Sequence, residues 1–127
     1  MVYFFMFLSG GIGYNLMEIF WRGYTHWTMG LAGGISFLSI YMINNYFGEF
    51  SLFLRSLLGA LSITLVEFVF GLIFNLKLKW NIWDYSDMMF HVKGQICLPY
   101  SLLWFCLCLV LFPLCDFIDE TILEKFI

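Results

Sequence analysis

Residues 54–76 read L-R-S-L-L-G-A-L-S-I-T-L-V-E-F-V-F-G-L-I-F-N-L, a run broken only by Arg55 near its start and Glu67 within it. About 20 apolar residues in a helix span the ~30 Å of hydrocarbon in a bilayer. The run lacks the strict apolar/polar alternation of a membrane barrel strand, so it predicts a spanning helix. With no water at mid-bilayer, a helix is the form in which a chain satisfies its own backbone groups.

Three more runs of this kind flank it: Val2–Phe20, Thr28–Phe47 and Leu98–Ile118. Together with Leu54–Leu76 they predict an all-α fold, a single integral membrane bundle of four transmembrane helices occupying residues 1–127. The first run lacks a basic leading region and a small-x-small cleavage site and ends in Glu18 and Arg22, so it reads as a retained helix rather than a signal peptide. Composition agrees: 62% of the 127 residues are hydrophobic and 12% are charged, against about a quarter charged in a soluble domain. The net charge of −3 and the lack of a basic cluster exclude a nucleic-acid partner.

Short turns join the first two pairs of helices, around Gly23 and around Gly48–Ser51. The link Lys77–Cys97, between helices 3 and 4, is longer and aromatic and has none of the Ser/Gly/Pro runs of a flexible tether. It is expected to be an ordered cap. Four helices in series put this link and the Gly23 turn at one membrane face. Arg22, Lys77, Lys79 and Lys93 gather there, against Arg55 and Lys125 at the other, so the positive-inside rule favours a cytoplasmic position for that face.

The ionisable residues gather at the same end. Tyr14, Glu18 and Arg22 follow i, i+4 spacing and form one helical stripe. His26 continues that spacing beyond the turn. Glu67 lies about two turns before the end of its helix, and Asn75, Trp83, Asp84, Tyr85 and Ser86 follow. A charge at mid-bilayer costs about 2.5–3.5 kcal/mol on insertion scales, so Glu67 needs a proton or a partner, with Arg22 or His26 as the candidates. Two readings stand: a polar pocket with Glu18, Arg22 and His26 on one wall and Glu67 and Asp84 on the other, or charges that only lock helices together. Gly30 and Gly34, and Ser9 and Gly13, have the small-x-x-x-small spacing of close helix contacts. Trp21, Trp27, Trp80 and Trp83 fit an interfacial belt, and Arg55 fits a side chain snorkelling to the opposite interface. The acidic tail Asp116–Ile127 reads as a helical extension into water.

Other chemistries lack a signature. No G-x-x-x-x-G-K-S/T loop for ATP is present. No C-x-x-C or H-E-x-x-H spacing points to a metal, and Cys97, Cys106, Cys108 and Cys115 read as packing residues. No cofactor is expected.

The run E-I-F-W-R-G-Y-T-H-W-T-M-G-L-A-G-G from Glu18, then E-F-V-F-G-L-I-F-N from Glu67, W-D-Y-S from Trp83 and G-Q-I-C-L from Gly94 together resemble the ABC-transporter type IV family of small bacterial membrane proteins. The resemblance spans Gly10–Trp104. It implies signature positions at Glu18, Arg22, Gly23, His26, Glu67, Asn75, Trp83, Asp84, Tyr85, Ser86, Gly94 and Gln95, so Asn75, Tyr85, Ser86 and Gln95 join the candidate pocket. His91 stands where an asparagine is expected. By resemblance the chain is a multi-pass cell-membrane protein connected with transport and in contact with lipid; the resemblance itself establishes neither a substrate nor an ATPase, and a separate ATPase is a candidate partner. Four helices enclose little volume, so a pathway is expected to need a homo-oligomer or other membrane subunits. The expected function is that of a permease-like component moving an unidentified solute or lipid-like substrate. The alternatives are an intramembrane enzyme using Asp84, His26 or Glu67 as acid/base, and a structural or assembly subunit.

Overall fold

A computed structural model describes residues 2–123. Four helices carry the fold: α1 (Val2–Arg22), α2 (Trp27–Tyr46), α3 (Leu52–Phe70) and α4 (Leu98–Ile118). The expected acidic tail lies partly outside the described residues, since its last four positions are not among them. Both α3 and α4 run on as wider, π-helical turns, over Gly71–Lys77 and Asp119–Leu123. With these extensions, Leu52–Lys77 and Leu98–Thr121 are long and apolar enough to cross a membrane. α1 and α2 reach about 30 Å at 1.5 Å per residue, but they are diluted by glycines and by Tyr14, Asn15, Glu18, Asn44 and Asn45.

The helix ends follow from local chemistry. α1 stops where Gly23 turns the chain at φ +83°, a left-handed conformation that costs a side-chain-bearing residue about 1–2 kcal/mol. α2 starts at His26, whose Nδ1 accepts the Thr28 N–H at 3.2 Å. α3 starts at Ser51, whose Oγ accepts the Leu54 N–H at 3.2 Å. Each satisfies one of the first amide donors, which a helix leaves free. Pro99 sits in the first turn of α4, where its missing N–H costs nothing.

α1 and α2 form the closest pair, and glycines set their separation. A Cβ on Gly10 would strike Phe37 Cβ and come within 2.9 Å of the Gly33 carbonyl. On Gly11 it would lie 2.8 Å from the Gly30 carbonyl, and on Gly34 2.7 Å from the Phe7 carbonyl. The small-residue contact on α1 is therefore made by Gly10 and Gly11. Gly13, expected from spacing to share that contact, has open space where its Cβ would be.

The core runs through α1, α2, α3 and α4, from Met6, Phe37 and Ile40 to Cys108, Phe112 and Cys115. All four cysteines are free thiols; Cys108 and Cys115 are fully enclosed and act as packing atoms. At the end carrying the Gly48 turn, a polar network ties three helices together. Arg55 Nη1 donates to Asn44 Oδ1 at 2.6 Å, Asn44 Nδ2 donates to Asp116 Oδ1 at 2.7 Å, and the Tyr41 hydroxyl donates to Asp119 Oδ1 at 2.8 Å. Arg55 therefore does more than snorkel: its Nε also holds the Phe50 carbonyl at 3.0 Å.

The link between α3 and α4 folds back on itself. Tyr85 N–H donates to the Gly94 carbonyl at 2.7 Å, and Val92 N–H to the Ile96 carbonyl at 2.9 Å. Its anchor is Asn75, on the π-helical turn, which donates to Gln95 Oε1 at 2.8 Å and accepts the Ile82 N–H at 2.7 Å. The π turn brings Gly71 against the Gln95 side chain, where a Cβ would meet Oε1 at 2.5 Å.

Candidate functional site

Two cavities meet inside the end of the bundle that carries the Gly23 turn and the link. The inner one holds about 320 Å³ and runs along the bundle axis between Gly10, Gly13, Gly33, Phe37, Ile63 and Leu111, with Glu67 at its link end. The outer one holds about 840 Å³ between the last two turns of α1, the link and the start of α4, and carries Glu18, Arg22, Asp84, Tyr85 and Asp87. Tyr14, Met17, Trp83 and Trp104 line both. The inner volume lies at the lower end of the ~300–1,000 Å³ typical of ligand sites.

Gly13 explains part of the inner void: on α1 it faces space where neighbouring glycines face backbone. Glu67 reaches the cavity from α3 and is 8% exposed. The sequence pointed to Arg22 or His26 as its partner, and the structure places both elsewhere. The partners of Glu67 are neutral donors: the Tyr85 hydroxyl to Oε2 at 2.9 Å and the Trp104 indole to Oε1 at 3.4 Å. The pair Arg22–Glu18, 3.2 Å apart, is the sole ion pair among the described residues. Arg22 uses one nitrogen for Glu18 and the other for the Tyr24 hydroxyl at 2.8 Å. It therefore staples its own helix end instead of clamping α1 to α3.

Glu18 is the centre of a second small network. It also accepts from the Tyr14 hydroxyl at 3.2 Å and from Thr25 Oγ1 at 3.0 Å; the Thr25 oxygen lies 2.9 Å from Asn15 Oδ1 as well. His26 lies off the cavities. Its ring caps α2 and packs beside Trp27 and Trp80, with centroids 5.7 and 5.9 Å away, because the residue before a helix must turn inward to reach the free amides.

On the link, Asp84 lines the outer cavity while accepting the Ser86 N–H at 2.9 Å. That bond, then the Ser86 hydroxyl and more weakly His91, hold its carboxyl below the ordinary aspartate value. Burial first, then the Glu67 carboxylate, holds the Tyr85 hydroxyl well above the usual tyrosine range, so Tyr85 remains a proton donor to Glu67 at any ordinary pH. Ser86, Asn75 and Gln95 line neither cavity. Asn75 and Gln95 shape the link, and Ser86 closes a turn. Gly94 sits at φ +72° with Asp84 Oδ1 2.8 Å from where a Cβ would be. His91 Nδ1 accepts the Gly94 N–H at 3.1 Å, a bond that an asparagine carbonyl also makes.

The sequence reading missed the aromatic wall. Trp83, assigned to the interfacial belt, is 6% exposed and donates its indole N–H to the Gln95 carbonyl at 3.0 Å. From it the rings of Tyr85, Tyr100 and Trp104 follow in a row. Tyr85 and Tyr100 stack at 4.8 Å and 11°, and Tyr100 and Trp104 lie 6.2 Å apart. The only sequence signal for Tyr100 and Trp104 was their i, i+4 spacing on α4, which an apolar helix hides. No group of three or more metal-ligating side chains occurs among the described residues.

Comparison with curated proteins finds no match, and comparison with solved structures finds none. The family model described as "Putative ABC-transporter type IV" matches residues 3–126, which carries the likeness from its four motifs to nearly the whole chain. The chain belongs to the Putative ABC-transporter type IV family, a family of ABC-transporter-type membrane proteins.

Proposed function

We propose that this chain is a four-span cell-membrane protein that binds an amphipathic substrate in the joined cavities and passes it between the membrane and the cytoplasmic face, as a transport component working with a second copy or another membrane subunit and a separate ATPase. The observation that carries this reading is the adjacency of a cavity lined almost wholly by apolar side chains and one that also carries Glu18, Arg22, Asp84 and Asp87, the two sharing Tyr14, Met17, Trp83 and Trp104, with Glu67 in the lining of the inner one. An apolar chamber bordering one with charged side chains matches a molecule with a greasy body and a polar end. A solute that is polar throughout would lose its hydration in the inner cavity without replacement hydrogen bonds.

Membrane insertion of all four helices is supported by their surfaces. Phe4, Ile12, Leu16, Leu61, Leu65, Val110 and Phe117 all point outward. Scattered over every helix but α2, with Leu31, Ile35 and Met42 added there, they form an apolar exterior far larger than soluble proteins tolerate.

The test is photolabelling of the purified protein in nanodiscs with a long-chain alcohol carrying a diazirine near its hydroxyl. Labels are expected on Met17, Trp83 and Trp104, and are expected to vanish in Gly13→Leu, which fills the inner cavity from a position with free space. Labels confined to outward residues such as Leu65 and Val110, unchanged by Gly13→Leu, overturn the pocket. Movement of the same probe between leaflets of proteoliposomes, absent in Gly13→Leu, tests transport. Labelling of the pocket without such movement leaves a binding protein in place of a transporter.

A further inference from the structure

Charge at the junction is lopsided. Of the carboxylates around the two cavities, Glu18 is matched by Arg22. Glu67, Asp84 and Asp87 have no cation within ion-pair distance among the described residues. Arg22 spends its charge on Glu18 at 3.2 Å and turns its other terminal nitrogen to the Tyr24 hydroxyl, away from Glu67. Glu67 is more than nine-tenths buried, and each of its oxygens holds one neutral donor. Hydrogen bonds from Tyr85 and Trp104 solvate that charge without cancelling it.

The same junction presents π faces. Trp83, Tyr85, Tyr100 and Trp104 form a continuous row beside Glu67. Ring faces carry negative electrostatic potential and attract cations within about 6 Å, most strongly where water is excluded. An anion meets repulsion from both the carboxylates and the rings. A primary ammonium asks for three acceptors, and Glu67 already spends one lone pair of each oxygen on Tyr85 and Trp104, which leaves about two of a carboxylate's four acceptor positions to meet them. A cation without donors asks only for charge and π faces, and both are on hand.

The inference rests on the pocket reading above and names its ligand class. We propose that the joined cavities bind an organic cation with apolar substituents, of the quaternary ammonium or phosphonium kind, its charge held beside Glu67 against the rings of Trp83 and Trp104 and its apolar body in the inner cavity. The chemistry is shared by two sources, a small lipophilic cation and the choline headgroup of a membrane lipid.

Tetraphenylphosphonium and tetraphenylborate have nearly the same shape and opposite charge, which isolates the sign of the site. Tryptophan fluorescence of the full chain in phosphatidylglycerol nanodiscs is titrated with each, and empty discs correct for partitioning. Saturable quenching by the phosphonium alone is expected, weakened at least about tenfold by Glu67→Gln as a buried charge partner is lost. Asp87→Asn, at an exposed position that places no demand on folding, is expected to weaken it by about threefold. Equal affinity in both variants and wild type overturns the charge assignment. Saturable binding of the borate and not the phosphonium overturns the cation class yet keeps the pocket. Binding of neither, together with failed photolabelling, removes the pocket itself. Loss of phosphonium binding on moving to phosphatidylcholine discs supports the site with the lipid headgroup as its occupant, and unchanged binding supports the small cation.

Discussion

The Tyr85 hydroxyl donates to Glu67 Oε2 at 2.9 Å, joining the link to the middle of the bundle across 18 residues of sequence. This bond ties a residue that lines the outer cavity to one that lines the inner, and gives the buried carboxylate its shorter hydrogen bond. Tyr85→Phe keeps the ring stacked on Tyr100 and deletes the donor. It is expected to cost about 1–3 kcal/mol, the range for leaving a buried acceptor short of a partner. Thermal unfolding in nanodiscs measures it. In a Glu67→Gln background the same change is expected to cost less, because the two sites are in contact and their effects do not add. Full additivity would show that the bond carries no weight.

Glycines on one face of α1 are expected to respond in opposite ways. Gly13→Ala places its methyl in open space, so the gain in helix preference of about 0.5–1 kcal/mol is retained. Gly10→Ala drives its methyl into Phe37 and the Gly33 carbonyl, forcing α1 from α2, and lowers stability. In lipid, helices associate through close packing more than through the hydrophobic effect, which sharpens the contrast. Equal melting temperatures for the two variants would refute the assigned packing.

The link holds Lys79, Asn81, Phe90 and Lys93 at φ between 51° and 58°. Left-handed backbone strains these side-chain-bearing residues, least at Asn81. Lys79→Gly relieves the strain but frees the unfolded chain, so its net gain is expected to be below about 1 kcal/mol. Slower amide exchange across residues 78–96 is the readout; faster exchange would mean that Lys79 is held by its side chain and not in spite of it.

Acid should loosen the link through Asp84. Its carboxyl titrates below the ordinary 3.8 because the Ser86 N–H, then the Ser86 hydroxyl, favour the charged form. A depressed folded-state value contributes stability above 3.8 that is lost as pH falls through the folded value. Fluorescence of Trp83 is therefore expected to stay constant down to about pH 4 and shift below it. Asp84→Asn is expected to remove the acid-side dependence, and an unchanged shift in that variant would assign the transition to another group.

How much was visible in the sequence depended on the distance between partners. The four helices were legible because each is a nearly unbroken apolar run. The Glu18–Arg22 contact was legible because i, i+4 spacing places both on one stripe. The partners of Glu67 were not, since Tyr85 and Trp104 lie 18 and 37 residues away and nothing local selects them over Arg22. The helix expected over residues 54–76 starts two residues earlier, at Leu52 after the Ser51 cap, and runs one residue further, to Lys77, because π turns continue it beyond α3. Trp83 was misread because indoles favour interfaces in general, while the Asn75–Gln95 bond that folds it inward joins residues 20 apart. His26 was misassigned for a related reason: its spacing continues the stripe, but the Gly23 turn ends the helix before the stripe reaches it.

The Asn44–Asp116, Arg55–Asn44 and Tyr41–Asp119 bonds fasten α2, α3 and α4 at the end of the bundle remote from Glu67. Directional bonds of this kind fix how far one rod slides along another, yet leave a small tilt between them cheap. None of these bonds touches α1, and the inner void runs beside it from Glu67 down to Leu114 and Ile118. The bundle is thus a tied frame of three rods with α1 laid against one of them, α2. Widening the void asks α1 to shift while Arg55 and Asp116 keep the rest in register.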